Sequence, residues 1–125
     1  MPQGWCRAFA ATPDQAGAAR RFLAAILGGH PAADDAVACL GELASNSIQH
    51  SQSARAGGTF TVRMRRAGAA IRVEVTDQAG PWRPASGRDD ESGRGLVIVA
   101  ALAAEWGVTT DGPDQRTVWF TTHPA

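Results

Sequence analysis

Residues 40–51 read LGELASNSIQHS. Glu42, Asn46 and His50 recur every four positions, so on a helix they stack along one side. The surrounding residues support a helix from about Ala32 to His50. Asp34 and Asp35 fall in its first turn, beside the positive helix end. Ala36, Val37, Leu40, Leu43, Ala44 and Ile48 form an apolar side, with Glu42, Asn46 and Gln49 opposite and His50 at the polar edge. Two readings stand. The polar stripe is a solvated face, or it is a row of ligands aimed into a pocket. An Asn inside a helix carries a mild propensity cost that solvation alone does not explain.

On either side of this helix the chain alternates strand and helix signals. Residues 4–10, GWCRAFA, read as a first strand. TPDQAGAARRFLAAIL reads as a helix with Thr12 as N-cap, Pro13 in the first turn and an Ala19, Phe22, Leu23, Ile26 stripe, closed by Gly28-Gly29 and Pro31. TFTVRMRR and AIRVEVTD alternate as a hairpin through Ala67-Gly68. Residues 78–94, QAGPWRPASGRDDESGR, form a long loop rich in Gly, Pro and charge, of the length that often serves as a lid. GLVIVAALAAEWG reads as a third helix ending at Gly107, and VTTDG and RTVWFTTH as a closing strand pair. Short turns between late strands point to an α+β fold: a two-layer sandwich with an antiparallel or mixed sheet and helices on one face.

Composition limits the chemistry. The 125 residues suit one domain, 1–125, and apolar residues make up 44%. Formal charge is +0, which argues against nucleic acid as a direct partner. The apolar run near Leu96 is too short to cross a membrane, and the opening MPQGWCRAF lacks a signal-peptide core, so a cytoplasmic location is expected. Cys6 and Cys39 are expected as reduced thiols. All 12 basic residues are Arg. A chain without Lys has no P-loop Lys, no kinase strand Lys and no Schiff base. A nucleotide would have to be held by backbone amides, Arg and carboxylates.

Two further segments bear on that. Asp77 closes a strand and opens the long loop; a carboxylate there can accept from an exocyclic amine, or it can simply favour a strand exit. Gly80 permits close approach to the backbone. In ESGRGLVIVAAL, Gly93 and Gly95 mark the passage from loop to helix, where free amides and the helix dipole attract anions, and Arg94 adds a phosphate-binding side chain. The same glycines would also serve as a flexible helix entry. His30, His50 and His123 show no metal-ligand spacing.

The order of these segments is more specific than any one of them. LGELASNSIQHS, VEVTDQAG, ESGRGLVIVAALAAEWGV and RTVWF resemble the ATP-binding domain shared by gyrase, heat-shock chaperones, histidine kinases and mismatch-repair ATPases, the GHKL superfamily with its Bergerat-type fold. Within it they are most similar to the small stand-alone anti-sigma-factor serine/threonine kinases of bacteria. The resemblance runs from about Phe9 to Phe120. It implies ATP and Mg²⁺ as ligands, with Asn46 holding the metal and Glu42 as general base. It implies Asp77 at the adenine amine, with Gly80 nearby and Thr117 near the adenine. Gly93, Arg94, Gly95 and Leu96 would surround the phosphates, and 78–94 would be the ATP lid. The first glycine box departs from the family pattern: Ala79 stands in its first glycine position, Gly80 one place late, and Trp82 follows.

Two functions follow. One is a kinase that phosphorylates a Ser or Thr of an anti-sigma-factor antagonist and also sequesters a sigma factor. The other is a non-catalytic regulatory module of the same fold with weak or no ATP binding. Relatives of this kind are often homodimers.

Overall fold

The computed structural model describes residues 4–50, 57–78, 90–110, 112 and 115–124, with the side chains of 50 and 90–95 excepted. Eight elements follow in the order β1 (Gly4–Ala10), α1 (Gln15–Leu27), α2 (Ala33–His50), β2 (Thr59–Ala67), β3 (Ala70–Asp77), α3 (Asp90–Leu102), β4 (Ala103–Thr110) and β5 (Arg116–Thr122). The strands form one sheet in the order β1-β2-β3-β5-β4, antiparallel at every pairing. The helices pack on one face of it. This is the α+β two-layer arrangement expected from the sequence, with the sheet resolved as antiparallel.

The alternation in the strands explains which face is covered. Phe60, Val62 and Met64 of β2, Ile71, Val73 and Val75 of β3, and Phe120 of β5 point inward and are fully or almost fully buried. They meet Ala19, Leu23 and Leu27 of α1 and Ala36, Leu40, Leu43 and Ala44 of α2 in one core. Phe9 ties β1 to both layers: it stacks on Phe60 at 5.5 Å and meets Phe22 of α1 edge-on at 5.7 Å. The β2–β3 hairpin closes through Gly68-Ala69, with Ala67 opposite Ala70. Only Gly68 has positive φ, +65°, which is what the first central residue of a type II′ turn requires.

The opposite face carries no helix among the described residues. Arg63, Arg65, Arg72, Glu74 and Trp119 lie there. Arg72 donates to Glu74 at 2.9 Å and rests 4.2 Å above the Trp119 ring. Gly107 on β4 lies beneath that ring; a Cβ there would come within 2.9 Å of it.

Three boundaries differ from the sequence reading. Helix α1 starts at Gln15, not after a Thr12 cap. The Thr12 hydroxyl donates to Asp14 Oδ1 at 2.6 Å, and Thr12 to Gln15 forms a turn. The Thr12 hydroxyl is taken up by the neighbouring carboxylate, a local bond that competes with capping. That hydrogen bond, with a second from Gln15, lowers the Asp14 pKa. The third helix is displaced toward the N-terminus: it begins at Asp90 and ends at Leu102, not Gly107. Residues 103–107 look helical by their alanines, but from Ala103 the chain pairs with β5. Sheet pairing overrides that weak propensity. As a result Gly93 and Gly95 lie inside the first two turns of α3, and not at the junction where the sequence put them.

Candidate nucleotide site

The end of the sheet where α2, β3 and β5 converge brings several of the expected residues together. Asp77 is the last residue of β3 and follows Val73 and Val75 onto the helix-facing side. Its side chain is only 2% exposed. Ser47 of α2 donates its hydroxyl to Asp77 Oδ2 at 2.5 Å and is itself buried. Arg116, the first residue of β5, lies opposite Asp77 in register and brings Nη2 to 3.4 Å from the same Oδ2. Asp77 Oδ1 and Arg116 Nε are buried without a hydrogen-bond partner among the described residues. Buried polar atoms are satisfied in the great majority of cases, so an orphan acceptor beside an orphan donor calls for an explanation. An incoming group that both donates and accepts would satisfy them, and the amine-bearing edge of adenine is such a group.

Glu42 and Asn46 lie on α2 one turn apart, both half-buried. Four residues of helix separate them by roughly 6 Å along the axis. The Ser47–Asp77 bond fixes the rotation of α2 against β3, so it also sets where Asn46, the next residue, stands relative to the carboxylate. Cys39, one turn before Leu43, faces the core. Burial pushes its thiol up to about 11, and the charges of Asp35 and Glu42 add to the shift. A neutral, inert thiol is the outcome.

Other candidates are placed differently. Thr117 does not share a face with Asp77. It pairs with Thr76, and the two hydroxyls meet at 2.8 Å on the far side of the sheet. Leu96 is half-buried on α3, which packs against α2. Gly93, Arg94 and Gly95 belong to α3 by backbone only. Gly80, and the lid 78–94 over residues 79–89, lie outside the described residues. Among the described residues no three His, Cys, Asp or Glu side chains converge as metal ligands. No described helix is long and apolar enough to cross a membrane. Two concavities lie away from this end of the sheet: about 420 Å³ on the outer face by Cys6, Arg63 and Glu74, and about 660 Å³ beside α1 and β1.

Ser47 and Arg116 were not singled out from the sequence. Both had a signal. Ser47 falls on the apolar stripe of α2, between Ala44 and Ile48, where a hydroxyl must find a partner. Arg116 keeps step with Val118 and Phe120, so alternation assigns it to the inner face.

Residues 9–122 match the histidine kinase-like ATPase domain, and the chain belongs to that family. The fold is similar to a crystal structure of the RsbU and RsbW domains of Rv1364c from Mycobacterium tuberculosis, with a TM-score of 0.73, 23% identity and 98% of this chain covered. The chain spans about a third (32%) of that one. No curated protein sequence matches it.

Proposed function

We propose that the protein is an ATP-binding regulator of the anti-sigma-factor kinase type. The observation that carries this is the buried Asp77 carboxylate, held by Ser47 beside the Asn46 helix with one oxygen left free. In this reading Asp77 Oδ1 accepts from the adenine amine. Asn46 would hold Mg²⁺ through its carbonyl oxygen, the oxygen donor a hard cation prefers, and the ion would offset phosphate charge. The free amides of the first turn of α3 are the phosphate donors in this reading, and the resemblance adds Gly93, Arg94, Gly95, Gly80 and the 78–94 lid to them. Single-domain organisation over 1–125 is part of the proposal.

Glu42 is the general base. Its carboxylate accepts the proton of a Ser or Thr hydroxyl on the partner protein while that oxygen bonds to the γ-phosphorus. The bond to the bridging oxygen breaks, and ADP leaves. The partner is an anti-sigma-factor antagonist, and a sigma factor is the protein sequestered, in the cytoplasm.

A second reading is favoured by the Arg116–Asp77 contact and by Ala79 in the first glycine box: a docking module of the same fold that does not turn over ATP. Calorimetric titration with Mg-ATP separates the two. Binding by the wild type and its loss in Asp77→Asn supports the nucleotide site. Glu42→Gln should keep nucleotide and lose phosphotransfer. Unchanged transfer by that variant removes Glu42 from the mechanism.

A further inference from the structure

The residue that stands beside Asp77 on the inner face is Arg116, and the ion pair between them is incomplete. Asp77 Oδ2 is used twice, by Ser47 and by Arg116 Nη2, which leaves Oδ1 as the one free acceptor. The Arg116 Nη2 group is engaged, and the buried N–H left over is Nε. Among the buried side-chain atoms of these two touching groups, one acceptor and one donor therefore remain without a partner at the end of β3 and β5. We propose that Arg116 is a base-reading residue: Nε donates to the ring nitrogen adjacent to the adenine amine that Asp77 accepts.

This inference rests on the nucleotide reading above and adds to it a residue and a rule of selectivity. The adenine edge presents an amine donor flanked by ring-nitrogen acceptors. A single acceptor and a single donor match it. The guanine edge presents two donors beside one acceptor. Its second donor would meet an Oδ2 already taken, and a buried unmet donor is costly. The site therefore favours ATP over GTP. A site that recognises a group by hydrogen bonding also rejects analogues that lack it more strongly than an apolar pocket can. Arg116 suits the task because its guanidinium stays charged and planar beside the carboxylate that orients it.

The test is calorimetric titration of the whole chain with Mg-ATP and four Mg-bound analogues: the 1-deaza and 7-deaza forms, purine riboside triphosphate without the amine, and GTP. The wild type should lose roughly ten-fold in affinity for one of the two deaza analogues, the value of about one charged hydrogen bond. It should lose at least as much for the analogue without the amine and for GTP. Arg116→Met should bind ATP roughly ten-fold more weakly and show no further loss with that deaza analogue, because the two deletions remove the same bond. The wild-type series needs no variant, so it can overturn the role even if Arg116→Met folds poorly. Indifference to both deaza analogues, with sensitivity to the amine retained, overturns the role of Arg116 and leaves Asp77 in place. Tighter ATP binding by Arg116→Met also overturns it, because the side chain would then be occupying the place of the base. Absence of wild-type binding, or indifference to the amine, overturns the nucleotide reading and this inference with it.

Discussion

Strand β3 carries two arginine–carboxylate pairs three residues apart, and they are built for opposite purposes. Glu74 pairs with Arg72 on the outer face at 2.9 Å, with both side chains about a quarter exposed. The guanidinium is also stacked on Trp119, so its contacts are well arranged. Asp77 pairs with Arg116 on the inner face at 3.4 Å, with the two side chains 2% and 13% exposed. The partly exposed pair has the better geometry; the buried pair has the worse one and two orphan atoms. Exposed pairs cost little to form or to lose. A buried pair that stays half-satisfied is expensive, so its persistence points to a partner that arrives later.

The largest effect should come from breaking the buried pair. Asp77→Ala leaves Arg116 without its counter-charge and should cost about 3 kcal/mol in urea denaturation. A loss under 1 kcal/mol would mean that the pair is wetter than its burial indicates. Ser47→Ala removes the bond that holds Asp77 against α2. We expect about 1.5 kcal/mol, together with weaker nucleotide binding, since Asp77 would no longer be oriented. Gly107→Ala acts on the outer face by pushing Trp119 away from Arg72 and should cost about 1 kcal/mol, visible as a change in Trp fluorescence. Glu74→Gln should change stability by under about 0.5 kcal/mol, and added salt should erase even that. A larger value for Glu74→Gln than for Asp77→Ala would invert the comparison.

The thiols repeat the contrast at smaller scale. Cys6 is exposed and Cys39 buried. A thiol reagent at pH 8 should modify one cysteine in the native protein and the second only after unfolding. The unfolded Cys39 ionises near the ordinary 9.0 and the native one near about 11. Between those values the unfolded state has released the proton first, so stability falls slightly as pH rises through that window. Constant stability there would show Cys39 to be more solvated than its packing implies.

Much of the fold was legible because local signals agreed with one another. Helix α2 has acidic residues in its first turn and an apolar stripe, and β2 and β3 alternate cleanly around Gly68. The α3–β4 boundary was not legible, because an alanine-rich run favours helix until a partner strand is present. Within the site, Asp77 could be chosen from its position at a strand end. Thr117, which the resemblance puts near the adenine, lies on the face opposite Asp77; in a strand a single step moves a side chain through the sheet. Ser47 gives a fainter signal, a hydroxyl on the apolar stripe of α2, because a residue so small barely interrupts the pattern.

Helix α3 ends at Leu102 and β4 begins at Ala103, with no loop between them. The only irregularity in the β4–β5 register lies there, between Ala103 and Glu105. A connecting loop would give slack; here the bulge is the sole slack in the joint. With no loop between them, the last turn of α3 fixes where edge strand β4 starts, and with it the place of the exposed Trp106 and Val108 along the sheet edge.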